Sequence, residues 1–168
     1  MVEQISDLLK LVSQDRMSEL WEKAKQKDLQ GLDDEEKRLV KIMMDHEDEL
    51  YKQLEHADLT YDPEQNAQAD YDPFLHIGIH LIAETQLDQN DPLEVVSFFN
   101  AMCRHNYSRH HAVHLIGQIL GYFIFEVLEN QKPFDLETYR KLLTKYKSRD
   151  PKKLPDLLEN EPLLSEAD

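Results

Sequence analysis

The residues with the clearest capacity for chemistry in this 168-residue chain are its eight histidines. His76 and His80 are four residues apart, so on a helix their imidazoles project from one face, and Glu84 continues that face one turn later. His110 and His114 repeat the spacing farther along the chain. Neutral imidazole binds zinc, iron, nickel or copper, and a pair at this spacing on a helix can chelate one ion.

A further histidine lies in the apolar stripe of a predicted helix. The stripe consists of Leu39, Ile42, Met43, His46, Leu50 and Leu54. His46 is therefore expected to point inward. We predict a site for a divalent zinc, iron or nickel ion, with an inner set of His76, His80 and His114 and further candidate ligands His46, Glu84 and His110. The same spacing also fits half-buried histidines that form hydrogen bonds and bind no metal.

The elements that would position these residues are helices. Hydrophobic periodicity predicts an all-α, single-domain bundle of about six helices, over residues 2–27, 34–54, 73–87, 92–103, 108–130 and 136–147. Asp33 and Glu36 form an acidic capping box at the second helix, and residues 57–71 form a long polar loop. Asp72-Pro73 and Asp91-Pro92 each place a capping carboxylate beside a proline suited to the first helical position.

The third and fifth helices are apolar nearly all round, which predicts that they lie at the centre of the bundle. Gly117 and Gly121 share a face of the fifth helix, where each costs about 1 kcal/mol relative to alanine. We expect another helix to approach closely there. Residues 148–168 contain prolines and an acidic end, so a loosely ordered tail is expected to follow a helical domain of residues 1–147.

Charge and cysteine content restrict the partners and the compartment. Lys and Arg total 19 against 34 Asp and Glu, a net charge of −15, which argues against nucleic acid and anionic membranes as partners. The most apolar stretch, residues 115–128, is shorter than the ~20 residues of a membrane span. With Cys103 as its one cysteine and an acidic start unlike a signal peptide, the chain is predicted to be cytoplasmic.

Several other kinds of chemistry lack their motifs. The sequence contains no Gly-rich phosphate loop, no Cys-x-x-Cys pair and no Gly-x-Ser-x-Gly elbow, so it indicates no nucleotide or organic cofactor. One hypothesis is a metal-binding protein that hydrolyses or oxidises a small substrate. Another is a non-catalytic adaptor that binds a basic protein or a second copy of itself. A third rests on Arg104 and His110, whose spacing resembles the motif of the HEPN group of all-helical ribonucleases.

One stretch resembles a known family signature. The run Asp72-Pro73-Phe74-Leu75-His76-Ile77-Gly78-Ile79-His80-Leu81, followed by Gln86 and Asp91-Pro92, resembles that of the bacterial family domain of unknown function 1841. The second block of the family signature is matched by His114, Pro133, Asp135 and Tyr139 of this chain. The region of Leu32 and His46 resembles the N-terminal part of the family. The likeness spans residues 29–143. It implies an intracellular, mostly helical bacterial protein and assigns no activity.

Overall fold

The computed structural model describes residues 14–47 and 73–165, which form helices with no strand among them. The α-helices are α1 (Gln14–Gln26), α2 (Asp34–Asp45), α3 (Pro73–Gln89), α4 (Leu93–Arg104), α5 (Arg109–Glu129), α6 (Leu136–Tyr146), α7 (Leu154–Glu159) and α8 (Pro162–Ser165), with a 3₁₀ turn at Pro151–Lys153. The all-α prediction is confirmed. The predicted helical residues 2–13 and 48–54, the predicted loop 57–71 and the capping residue Asp72 lie outside the described residues.

The chain divides into two compact units at Leu81 and Ile82, within α3. Among the described residues, the N-terminal unit contains α1, α2 and the first part of α3. The C-terminal unit contains the rest of α3 and all the later helices. The predicted domain boundary after residue 147 stays a prediction.

In the N-terminal unit, α1 packs against α2 through the apolar positions that recur at helical spacing in the sequence. The buried residues are Met17, Leu20, Trp21 and Ala24 of α1 and Leu39, Val40, Ile42 and Met43 of α2. The predicted capping box is confirmed: the Asp33 carboxylate accepts the Glu36 N–H at 2.8 Å, and the Glu36 carboxylate accepts the Asp33 N–H at 3.1 Å. Glu36 also pairs with Arg16 of α1, which lowers the pKa of its carboxyl.

In the C-terminal unit, α4, α5 and α6 pack against one another. Two of the three helix starts agree with the sequence prediction: Ser108 caps α5 through the His111 N–H, and Asp135 caps α6 through the Thr138 N–H. The predicted start of α4 is wrong. Pro92 is itself the N-cap residue, with extended backbone at ψ 155° and no side-chain cap, so the helix begins one residue later than an Asp91 cap would require.

Helix α5 is long and apolar enough to cross a membrane, judged by length and composition alone, a test that the core helix of a soluble protein also passes. Its buried residues are Ala112, Val113, Leu115, Ile116, Ile119, Leu120, Phe123 and Ile124. The opposite face exposes Tyr122, Phe125 and Leu128. Gly117 and Gly121 line a cavity. The close approach of another helix at these two positions stays a prediction. One face of α5 therefore belongs to the core, and the other does not.

The C-terminal segment differs from the predicted loose tail, because residues 151–165 form short helices. The prolines at residues 151 and 155 lie in the first turns of these helices, where proline is tolerated because the missing N–H has no helical partner. Leu154 and Leu158 are buried. The Glu161 side chain, 1% exposed, pairs with Lys145 of α6 at 2.7 Å. Burial and this ion pair hold the segment against α6.

Candidate metal centre

Three histidine rings converge in the N-terminal unit. His46 is the residue that ends α2, and His76 and His80 lie one turn apart on α3. The ring centroids are 5.0 Å apart for His46 and His76, 4.4 Å for His46 and His80, and 4.7 Å for His76 and His80. Two of the three predicted inner ligands, together with the predicted further candidate His46, therefore meet at one point.

The histidine triad, defined as His46, His76 and His80, is removed from solvent. His46 is 2% exposed and His80 is 4% exposed, His76 is half-buried, and all three Nε2 atoms are buried. One ring nitrogen of each residue lies within 4.8 Å of those of the other two. Since Zn–N bonds of about 2.0–2.1 Å place tetrahedral ligands roughly 3.3 Å apart, small side-chain movements bring the triad to coordination distance.

A backbone hydrogen bond orients the ring of His46. Its Nδ1 lies 2.8 Å from the carbonyl oxygen of Ile42, one turn earlier in α2. Because a carbonyl oxygen only accepts, Nδ1 carries the proton and Nε2 carries the lone pair. In metal-binding histidines, the N–H of the second ring nitrogen commonly donates a hydrogen bond to a carbonyl oxygen. This bond fixes both the tautomer and the direction of the ring.

The triad's chemistry is that of three neutral nitrogen donors. Such a set suits a transition-metal ion of borderline softness and leaves coordination positions for water or for further ligands. A zinc ion held by these residues would supply Lewis-acid chemistry, such as lowering the pKa of a bound water or polarising a carbonyl. Hard ions such as Mg²⁺ and Ca²⁺ prefer oxygen ligands and match the triad poorly.

The predicted pair His110 and His114 lies on α5 in the C-terminal unit. Their ring centroids are 4.4 Å apart, and the two Nε2 atoms are 2.9 Å apart, so one ring donates a hydrogen bond to the other. His110 is exposed and His114 is half-buried. The spacing of four residues therefore brings the two rings together, as the sequence predicts. Their roles as metal ligands stay predictions, as does the ribonuclease hypothesis based on Arg104 and His110.

The Glu84 carboxylate is used in an ion pair with Arg109, and both residues belong to the C-terminal unit. The Arg109 guanidinium also lies over the Phe99 ring, 5.5 Å from its centroid. These contacts give the carboxylate a structural partner, and its role as a metal ligand stays a prediction. The hydrogen-bonding group that the sequence could not reveal is the Ile42 carbonyl, because a backbone acceptor has no signature in residue type.

A family model described as Domain of unknown function (DUF1841) matches residues 13–145, a segment that includes the whole histidine triad. No curated protein and no solved structure matches the chain. The match confirms the family resemblance drawn from the run around His76 and His80, and it extends that resemblance toward the N-terminus. The matched segment covers well over half of the chain, so the chain belongs to the DUF1841 family.

Proposed function

We propose that this protein binds a divalent transition-metal ion through the histidine triad. The observation that carries the proposal is the convergence of three largely buried imidazole rings, from the end of α2 and one face of α3. Three neutral imidazole nitrogens at one point are the kind of donor set that holds a zinc ion or a similar transition-metal ion in proteins.

The orientation of His46 supports the same proposal. Its Nδ1–H is directed at the Ile42 carbonyl, so its remaining lone pair belongs to a buried Nε2 atom beside the rings of His76 and His80. A ring held in this way loses little freedom on binding an ion, which favours affinity. Zinc, iron and nickel are the ions proposed, since each accepts neutral imidazole ligands.

The experiment is metal analysis by inductively coupled plasma mass spectrometry on untagged protein, because a histidine tag would itself bind metal. The His76→Ala/His80→Ala double variant is compared with the His105→Ala/His111→Ala double variant. The second pair consists of exposed residues outside the triad, so both variants lose the same number of histidines. Near-stoichiometric metal in the wild type and in the second variant, with loss of metal from the first, supports the proposal.

The opposite results overturn it. Wild-type protein that contains no metal, and that shows no thermal shift with zinc, iron or nickel, has no such site. Equal metal content in the two double variants places the ion elsewhere in the chain. A His114→Ala variant in the same series tests the separate prediction that this residue is a further ligand.

A further inference from the structure

A second candidate site lies in the C-terminal unit, where a cavity of about 940 Å³ opens beside the second half of α5. Ligand cavities in proteins commonly measure about 300–1,000 Å³. The wall is made by α5, by the segment leading into α6, by the first turn of α6 and by α8. Its apolar residues are Tyr122, Phe123, Phe125, Pro133, Phe134, Leu163 and Leu164.

Helix α5 contributes two glycines to this wall. Gly117 and Gly121 lie one turn apart, and neither places a side chain in the cavity. Glycine is a costly choice inside a helix, and within the part of the chain that the structure describes these two positions border the cavity. Phe125 and Tyr122, which lie beside the glycines, remain 56% and 40% exposed. Large aromatic rings at the edge of a concave apolar surface are typical of a ligand site.

The charged side chains of the wall are already used within the protein. Glu126 pairs with Lys132 at 2.9 Å, and it also accepts a hydrogen bond from Asn130 at 3.0 Å. The Asp135 carboxylate caps α6 by accepting the Thr138 N–H at 3.0 Å. A charged ligand would lose its hydration at this mostly apolar wall and would meet charges that are already paired, whereas an uncharged ligand would lose little hydration. The amide of Gln118, an exposed wall residue, can both donate and accept a hydrogen bond.

We propose that this cavity binds an uncharged, mainly apolar molecule with one hydrogen-bonding end group, of the class of a long-chain alcohol. The aromatic and leucine wall would cover the apolar chain, and the polar end would remain at the open side. A small neutral ligand is favoured over a second copy of the chain, because each copy carries a net charge of −15 and the two copies would repel each other.

The test uses the uncharged dye N-phenyl-1-naphthylamine, whose fluorescence rises in apolar surroundings. Three competitors of one chain length follow: 1-decanol below its solubility limit, and decanoate and decylammonium each below its micelle concentration. We expect saturable binding of one dye per chain, with 1-decanol displacing it at lower concentration than either charged analogue. Tighter competition by decanoate or decylammonium overturns the proposed ligand class, and absence of saturable dye binding overturns the site.

Variants locate the binding within the cavity. Gly121→Leu fills the space and is expected to weaken dye binding by about tenfold. The matched control is Asn100→Leu, which adds a leucine at an exposed position of α4 outside the cavity wall and should leave binding unchanged. Phe125→Ala removes an exposed ring that the core does not need, so it gives an independent result if Gly121→Leu does not fold. Unchanged binding in a folded Gly121→Leu variant, or in Phe125→Ala, places the dye elsewhere and overturns the site. Dye binding that rises in proportion to the dimer fraction measured by sedimentation also overturns the proposed site.

Discussion

The Nδ1 atom of His46 lies 2.8 Å from the carbonyl oxygen of Ile42, so the last turn of α2 determines which nitrogen of this ring faces the other two histidines. The carbonyl belongs to the last turn of the helix, where main-chain acceptors lack helical partners and are commonly satisfied by side chains. One hydrogen bond therefore satisfies a helix end and also orients a proposed metal ligand.

The substitution His46→Asn separates these two roles. The asparagine side-chain N–H₂ can reproduce the bond from Nδ1 to Ile42, but it offers nothing at the position of Nε2. Without metal, we expect the free energy of unfolding to fall by no more than about 1 kcal/mol. At a zinc concentration of about 100 Kd, the wild type gains about 2.7 kcal/mol and the variant gains much less. Urea titrations with and without zinc measure both values, and an equal gain in the two proteins contradicts a ligand role for His46.

The cap of α2 gives a second prediction. Asp33→Ala removes the side chain that accepts the Glu36 N–H, so the free energy of unfolding should fall by about 0.5–2 kcal/mol. Asp34→Ala is the matched control. Asp34 is the first residue of the helix and its side chain is 95% exposed, so its loss should change stability little. Urea denaturation of both variants provides the comparison, and equal destabilisation by the two substitutions would contradict the capping role.

Helix starts were predictable from sequence where the signal is local. Asp33 and Asp135 cap helices through the N–H of a residue three positions later, and that spacing can be read from the chain itself. The start of α4 was not predictable in the same way, because the sequence Asp91-Pro92 does not show that Pro92 has extended backbone. The C-terminal helices were missed because their burial depends on distant partners. Lys145, for example, pairs with a carboxylate 16 residues away.

The candidate site was also predictable only in part, because local spacing fixes the direction of a side chain but not its distance from another helix. Four-residue spacing places His76 and His80 on one face, and the apolar stripe turns His46 inward, so each direction follows from one helix alone. The distance between the two helices follows from packing, which no spacing within a helix encodes. The inner-ligand role predicted for His114 also depends on packing between helices, and it stays a prediction. For the same reason, the apolar character of α5 could not show that its glycine face borders a cavity.

The interior of the C-terminal unit supplies a third prediction. The hydroxyl of Tyr139, a fully buried residue, donates to Oε1 of Gln86 at 2.9 Å, and burial raises the pKa of this tyrosine so that it stays a neutral donor. Tyr139→Phe leaves the Gln86 oxygen without this donor, so the free energy of unfolding should fall by about 1–3 kcal/mol. Tyr122→Phe, at a 40% exposed position, is the control and should change little.

Adding Gln86→Met to Tyr139→Phe tests the cause of that loss. The second substitution removes the stranded amide and keeps a similar volume, so part of the lost stability should return. The free energies from denaturant titrations of the two single variants and the double variant form a cycle. Additive losses in that cycle would show that the hydrogen bond is not the reason for the effect.

The last prediction concerns Glu161, whose carboxylate holds the C-terminal helices to α6. It accepts hydrogen bonds from Lys145 at 2.7 Å and from the hydroxyl of Tyr146. Glu161→Gln removes the buried charge, so the free energy of unfolding at pH 7 should fall by about 1–3 kcal/mol. The matched control is Glu137→Gln, because the pair of Glu137 with Lys141 is exposed to solvent. The free energy of unfolding of this control should be close to that of the wild type.

The effect of Glu161→Gln should also depend on pH in a defined direction. Burial raises the pKa of Glu161, but the hydrogen bonds from Lys145 and Tyr146 outweigh burial and leave the pKa below its ordinary value of 4.5. A carboxyl whose pKa is lower in the folded state contributes stability above its unfolded value, and this contribution is lost as the pH falls through the folded value. The gap between wild type and variant should therefore be constant near neutral pH and shrink below about pH 4.5, as measured by urea titrations along a pH series. A gap that keeps its full size at pH 3 would show that the carboxylate charge does not hold this segment.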